Sequence, residues 1–152
     1  MAVEAMPVEK MKERVGNELG VTEWFQMDQD RINKFADCTE DHQWIHVDEE
    51  KAAQGPFGQT IAHGYLTISL LPYFSADHAL VPEGTMMAIN YGINKLRFPN
   101  AVRVGSRLRL RATLLAVDEV AGGLQIAESG TFEVEGESRP ACVAELLMRL
   151  YF

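Results

Sequence analysis

Two short stretches concentrate the side chains able to move protons: Asp41-His42-Gln43-Trp44-Ile45-His46 and Thr60-Ile61-Ala62-His63-Gly64. Asp41 and His46 stand five apart in a segment that begins as loop, so both can converge on one small molecule. A carboxylate and an imidazole whose pKa values are pushed apart can take a proton from water and return one to carbon. Gly64 opens an apolar stretch with helical spacing. Backbone N–H groups at a helix start are unpaired and sit at the positive end of its dipole, so an oxyanion forming at a carbonyl is stabilised there. Glycine also lets a ligand come close to the backbone. His42 reads as exposed or behind the reacting pair, and His63 as fixing the helix start. A zinc site built from His42, His46 and His63 lacks both a regular ligand spacing and a cysteine partner. Cys38 lies near the pair and reads as a small buried residue.

The elements that must hold these groups follow from periodicity. Pro7 opens a helical segment, within residues 1–19, that carries Val8, Met11, Val15 and Leu19 at intervals of three and four. Val21 to Met27 reads as a short strand. Asp28 is an N-cap for a helix with Ile32, Phe35 and Ala36 on one face, running out near Cys38. Asp48 is a second cap, opening a short helix through Ala53 that Gly55-Pro56 stops. Ile61 to Leu71 is apolar nearly all round, the mark of a helix wrapped on several sides by other structure.

Beyond Thr85 the period changes from about four to two. Thr85 to Phe98 reads as a strand bending at Gly92. Leu108, Leu110, Ala112, Leu114 and Ala116 alternate with Arg107, Arg109, Arg111 and Thr113. After Gly122-Gly123 the alternation resumes, with Glu128 and Gly130 interrupting the apolar face as a bulge would. From Cys142 to Phe152 every even position is apolar. These are long antiparallel strands with one buried face each. Helices first and a strand meander last predict an α+β fold, an antiparallel sheet curved around a central apolar helix, in a single domain over 1–152.

With 152 residues, 47% hydrophobic and 24% charged, the chain has ordinary globular composition. Its first residues carry no apolar block and no stretch approaches a membrane span, so neither a secretory signal nor a membrane anchor is expected. Two cysteines, Cys38 and Cys142, make no disulfide framework, and a cytoplasmic setting is the default. A net charge of −8 argues against nucleic acid as a partner. The cations Lys95, Arg97, Arg103, Arg107, Arg109 and Arg111 nevertheless crowd into one stretch, leaving room for a local anion site. The simplest reading of Arg107, Arg109 and Arg111 is the solvated face of a strand.

Phe35 through Ala52 resembles the signature of the MaoC-like, (R)-specific enoyl-CoA hydratases, also called hydratase 2. That signature runs aromatic, small residues, Gly, Asp, any residue, Asn, Pro, apolar, His, five residues, Ala. Asp41 falls on its aspartate, Ile45 on the apolar position, His46 on the histidine and Ala52 on the alanine. The segment Thr60 to Gly64 resembles the family's start of the central helix, and the similarity continues more weakly through the later strands. Glu40, Gln43 and Trp44 stand where the family has glycine, asparagine and proline; Asp-x-x-Trp-Ile-His resembles the nodulation protein N-like branch. The resemblance implies a hot-dog fold and reversible addition of water to a trans-2-enoyl thioester, giving an (R)-3-hydroxyacyl thioester.

It further implies that Asp41 and His46 hold one water beside the β-carbon. Asp41 would activate that water and His46 would pass a proton to the α-carbon, although the sequence leaves these two roles exchangeable. The Gly64 N–H would stabilise the enolate, with Gln43, Trp44 and His63 orienting substrate and water. Trp44 suits plain core packing equally well. Lys95 and Arg97 are candidate contacts for the phosphates of CoA, as is the Arg107 row. No metal or redox cofactor is required, the thioester carrier being CoA or acyl carrier protein, and an isologous homodimer is expected. Two readings compete: a hot-dog thioesterase, whose base would serve attack on the carbonyl, and a non-catalytic acyl-thioester binding module.

Overall fold

The structure is a computed structural model that describes residues 4–76 and 79–152. Its N-terminal half comprises β1 (Glu4–Met6), α1 (Val8–Lys12), β2 (Glu18–Val21), β3 (Phe25–Gln26), α2 (Gln29–Thr39), α3 (Trp44–Val47) and α4 (Glu49–Ala53). Then come α5 (Gly64–Ser69), α6 (Leu71–Ser75), β4 (Leu80–Pro82), β5 (Met87–Arg97), β6 (Arg107–Val120), β7 (Gly123–Val134) and β8 (Cys142–Tyr151). A six-stranded antiparallel sheet runs β2-β6-β7-β8-β5, with β3 also on β6, while β1 and β4 form a parallel pair apart from it.

The period-two alternation sets the faces of this sheet. Leu108, Leu110, Phe132, Val134, Cys142 and Ala144 are buried, and they pack with Met27, Ile32, Leu66 and Phe74 from the helical side. The opposite face carries the arginines, each spent on a carboxylate: Arg107 on Glu135, Arg109 on Glu133, and Arg111 on both Glu133 and Glu18. This is the solvated face expected from the spacing, and it leaves those guanidiniums engaged. The curved sheet over α5 is the hot-dog arrangement.

Both expected caps are present: Asp28 accepts from the Arg31 N–H at 2.8 Å and Asp48 from the Lys51 N–H at 2.9 Å. The N-terminal segment is less helical than its periodicity predicts. α1 spans only Val8–Lys12, Val15 is exposed, and Leu19 lies in β2. Gly16, at φ +88°, turns the chain and donates to the Leu114 carbonyl at 2.8 Å, and pairing with β6 then outcompetes helix continuation. The expected strand over Val21–Met27 is likewise split, because Thr22 puts its hydroxyl into the ladder and accepts from the Leu110 N–H.

The apolar stretch after Ile61 forms two short helices instead of one. Ile61 bridges to Arg103, α5 starts at Gly64, and Pro72, lacking an N–H, sits in the first turn of α6. Its wrapping is incomplete within one chain, since Tyr65 and Tyr73 are largely exposed. β5 bends at Gly92 as expected, with a register shift between Asn90 and Gly92. The bulge, however, lies in β6 between Leu114 and Ala116, opposite Glu128; β7 pairs with β8 without interruption. Gly130 instead answers to packing: a Cβ there would sit 3.1 Å from a Leu146 methyl. Among the described residues no helix is long and apolar enough to cross a membrane.

Candidate active site

α2 ends at Thr39, and Glu40 takes the left-handed conformation at φ 59°. A non-glycine residue there costs on the order of 1 kcal/mol, so the glycine that the family signature places at this position has a backbone reason. The turn delivers Asp41 and Gln43, both exposed, to the start of α3. The Gln43 carbonyl accepts from the His46 N–H at 2.9 Å and starts that short helix, which turns His46 inward. Gln29, just beyond its Asp28 cap, donates to the His46 carbonyl at 2.8 Å and accepts from the buried Thr60 hydroxyl, tying α2 to both stretches.

The second stretch is clamped from both sides. Ile61 N–H donates to the Ile45 carbonyl at 3.0 Å, while Ala62 N–H donates to Val102 at 2.8 Å. His46 Nδ1–H returns a bond to the Ile61 carbonyl at 2.7 Å. Because a carbonyl only accepts, that bond sets the proton on Nδ1 and leaves Nε2 with its lone pair. By the same reasoning His63 donates from Nε2 to the Asp41 carbonyl at 2.9 Å, so the histidine at the start of α5 fixes the backbone of the catalytic candidate. The two imidazoles stack with centroids 3.8 Å apart and planes 25° apart. A carboxylate oxygen of Asp41 and a ring nitrogen of each histidine lie within 4.8 Å of one another. Near-parallel stacked rings direct their in-plane lone pairs along separate lines, a poor match to tetrahedral chelation. His42, the third histidine of the zinc alternative, points elsewhere and pairs with Asp37 at 2.9 Å.

Burial lowers the His46 pKa below the usual histidine value, and neighbouring His63 lowers it further, against the Ile61 bond and the Asp41 charge, which raise it. The ring is therefore neutral near pH 7. It lines a cavity of about 340 Å³ together with Gly64, Thr67, Phe98, Asn100 and Val102. A larger cavity lies farther along α5, but His46, whose ring has the Asp41 carboxylate nearby, lines the smaller one.

The family profile described as MaoC like domain matches residues 10–133. The chain belongs to that family. It is 50% identical over 135 residues to 3-hydroxyacyl-thioester dehydratase Z of Mycobacterium tuberculosis (strain ATCC 25618 / H37Rv), covering 88% of this chain and 89% of that protein. It is 43% identical over 141 residues to Nodulation protein N of Rhizobium leguminosarum bv. viciae, covering 91% and 88%. Among solved structures, the (R)-hydratase from A. caviae involved in PHA biosynthesis superposes with a TM-score of 0.73 at 24% identity, covering 90% of this chain and 96% of that one.

Within this MaoC-like chain the structure gathers Asp41, His46, His63 and Gly64. Trp44 is placed elsewhere, against Gly55 and beneath the Lys51 ammonium at 4.9 Å, which is the packing alternative of its two sequence readings. Lys95 pairs with Glu145 at 3.2 Å, whereas Arg97 is exposed and bonds the Leu96 carbonyl; neither lines the cavity. Cys38 is exposed rather than buried. Sequence reasoning missed Gln29, Thr67 and Phe98. Gln29 and Phe98 belong to no motif, and Thr67 is one polar position in an apolar helix, so only the tertiary contacts assign them to the site.

Proposed function

We propose that this chain is a hydro-lyase, an (R)-specific 3-hydroxyacyl-thioester dehydratase that also hydrates trans-2-enoyl thioesters, working through Asp41 and His46. The supporting observation is the Asp41 carboxylate within 4.8 Å of the His46 ring, beside a cavity that also holds Gly64. Of the two assignments open in the sequence, the tautomer favours His46 as the group that takes the proton. Its N–H is committed to Ile61, so Nε2 accepts a proton from water while the water oxygen bonds to the β-carbon. Asp41 accepts the other hydrogen bond of that water and stabilises the imidazolium. The electron pair of the double bond moves toward the thioester oxygen, where the Gly64 N–H receives it. His46 then returns its proton to the α-carbon, closing the balance of one water added. Water supplies every atom transferred, and the reaction so written uses no cofactor.

Arg97, exposed at the end of β5 and without a carboxylate partner among the described residues, is the candidate contact for carrier phosphates. The test is loss of the enoyl-thioester absorbance with crotonyl-CoA, followed by chiral analysis of the 3-hydroxybutyryl-CoA formed. The (R) product is expected; release of free thiol instead would establish a thioesterase and end the hydro-lyase reading.

An isologous dimer is part of the same proposal. Among the described residues β5 pairs only with β8, and nearly its whole length is exposed, with Met87, Ile89, Tyr91 and Ile93 uncovered alongside Tyr65 and Tyr73. An unpaired edge carrying that much apolar surface calls for a partner, and a second copy supplies the matching one. Sedimentation equilibrium should give twice the chain mass; a monomer would rule the dimer out.

A further inference from the structure

Glu128 is the residue whose position the chemistry above leaves unexplained. It occupies an inward position of β7, where Leu124, Ile126, Phe132 and Val134 are all apolar and buried. Its side chain is buried, with 5% of the residue exposed, and it makes no hydrogen bond or ion pair among the described residues. Burial alone pushes its carboxyl up to about 7, so near neutral pH a large share of it carries a proton. An unpartnered carboxyl is costly at a position where leucine would suit the core.

The carboxyl lines a cavity of about 700 Å³ between the sheet and the helical layer, whose other walls include Ile68, Leu71, Ile93, Ile126 and Leu146. That volume lies within the range of small-molecule sites, which are apolar with a few polar groups that fix orientation. The cavity lies one turn along α5 from the site already described. Gly64 and Thr67 of α5 line the smaller cavity, while Ile68 and Ser69 of the same helix line the larger. From Gly64 to Ser69 the helix rises about 7.5 Å, so a thioester held at Gly64 has this second cavity within reach of its acyl tail.

We propose that the larger cavity receives the distal part of the acyl chain and that Glu128 selects tails bearing a hydroxyl group. The inference rests on the hydro-lyase reading of the Asp41/His46 site and adds a substrate class to it. A protonated carboxyl offers one donor and one acceptor, so it engages a hydroxyl in either sense, and the apolar walls hold the methylenes between. A site built to hydrogen-bond a hydroxyl discriminates strongly against the analogue that lacks it, because its own polar group is then left unpaired.

The experiment compares kcat/KM for trans-2-decenoyl-CoA and its ω-hydroxy counterpart in wild type, Glu128→Leu and Glu128→Gln. Wild type is expected to favour the hydroxylated substrate by about tenfold or more. Glu128→Gln, which keeps a donor and an acceptor, should retain that preference, and Glu128→Leu should reverse it. A substrate ratio that is the same in Glu128→Leu as in wild type overturns the proposal, whatever the absolute rates. Should wild type turn over neither substrate, crotonyl-CoA separates the two readings: turnover of it overturns the tail cavity alone, and no turnover of it ends the hydro-lyase reading. In the latter case calorimetric titration of the same two thioesters into wild type and Glu128→Gln decides Glu128 separately: tighter binding of the hydroxylated one by both supports its role, and equal binding of the two overturns it. Glu128→Gln also keeps the test available if Glu128→Leu does not fold.

Discussion

Asp41→Asn and His46→Gln should each lower kcat/KM for enoyl-thioester hydration by about 10²–10⁴-fold, the range for loss of a positioned acid or base. Asp41→Asn preserves shape and removes the charge that stabilises the imidazolium. His46→Gln removes the cavity-lining ring nitrogen that the proposed mechanism uses as the proton acceptor. The two groups act on the same water, so the double variant should lose far less than the product of the two single losses. Asp41 is exposed, whereas His46 is buried and bonds the Ile61 carbonyl, so thermal melts report whether each variant is folded. The pH profile gives a second, independent check. His46 must be neutral to accept a proton, and its pKa lies below the usual histidine value. Wild-type kcat/KM should therefore hold as pH falls through the ordinary histidine range and drop only below it. Full activity in both single variants would exclude the pair from the chemistry.

Gly64→Ala should lower kcat/KM by about 10²-fold, the lower end for loss of an oxyanion donor, while leaving the melting temperature nearly unchanged. The glycine is not required by the backbone, which has no positive φ at this position. It is required by space. An added Cβ would lie 2.9 Å from two ring carbons of Phe98, which itself packs edge-on against Tyr65 with centroids 5.9 Å apart. The ring must swing, and it borders the cavity that holds His46. Alanine is also the better helix former, by about 0.8–1 kcal/mol, which offsets part of the strain in the folded state. The N–H remains, but the methyl group and the displaced ring stand where the thioester oxygen would approach. Pairing the substitution with Phe98→Ala should restore part of the loss; no restoration would argue that Gly64 contributes nothing through access.

What could be read from residue order alone is what short-range chemistry controls. Asp28 and Asp48 announce their helices because a side-chain oxygen three residues before an unpaired N–H satisfies it in any context. The alternation from Arg107 onward announces strands, because the strand period of two assigns faces before any partner is known. Asp41, His46 and Gly64 were legible for the same reason: a loop, a helix start and matching separations suffice to nominate them.

Other features depended on which strand or ring lay nearby. Val15 and Leu19 fit a helical stripe, yet pairing with β6 took that segment instead, since a ladder to a long strand satisfies more backbone than one further helical turn. Trp44 had two equally good readings until Gly55 offered its ring a bare backbone to pack on. The bulge signalled by Glu128 and Gly130 fell on the neighbouring strand, because the interruption is shared across a ladder and only the register says which strand yields. The order of residues determined that an aspartate and a histidine would meet beside a helix start. The stacking of His46 on His63, the tautomer set by the Ile61 carbonyl, and the burial of Glu128 against an apolar cavity were decided only when distant segments packed, because the free energy of a proton depends on what surrounds it in space and not on its neighbours in the chain.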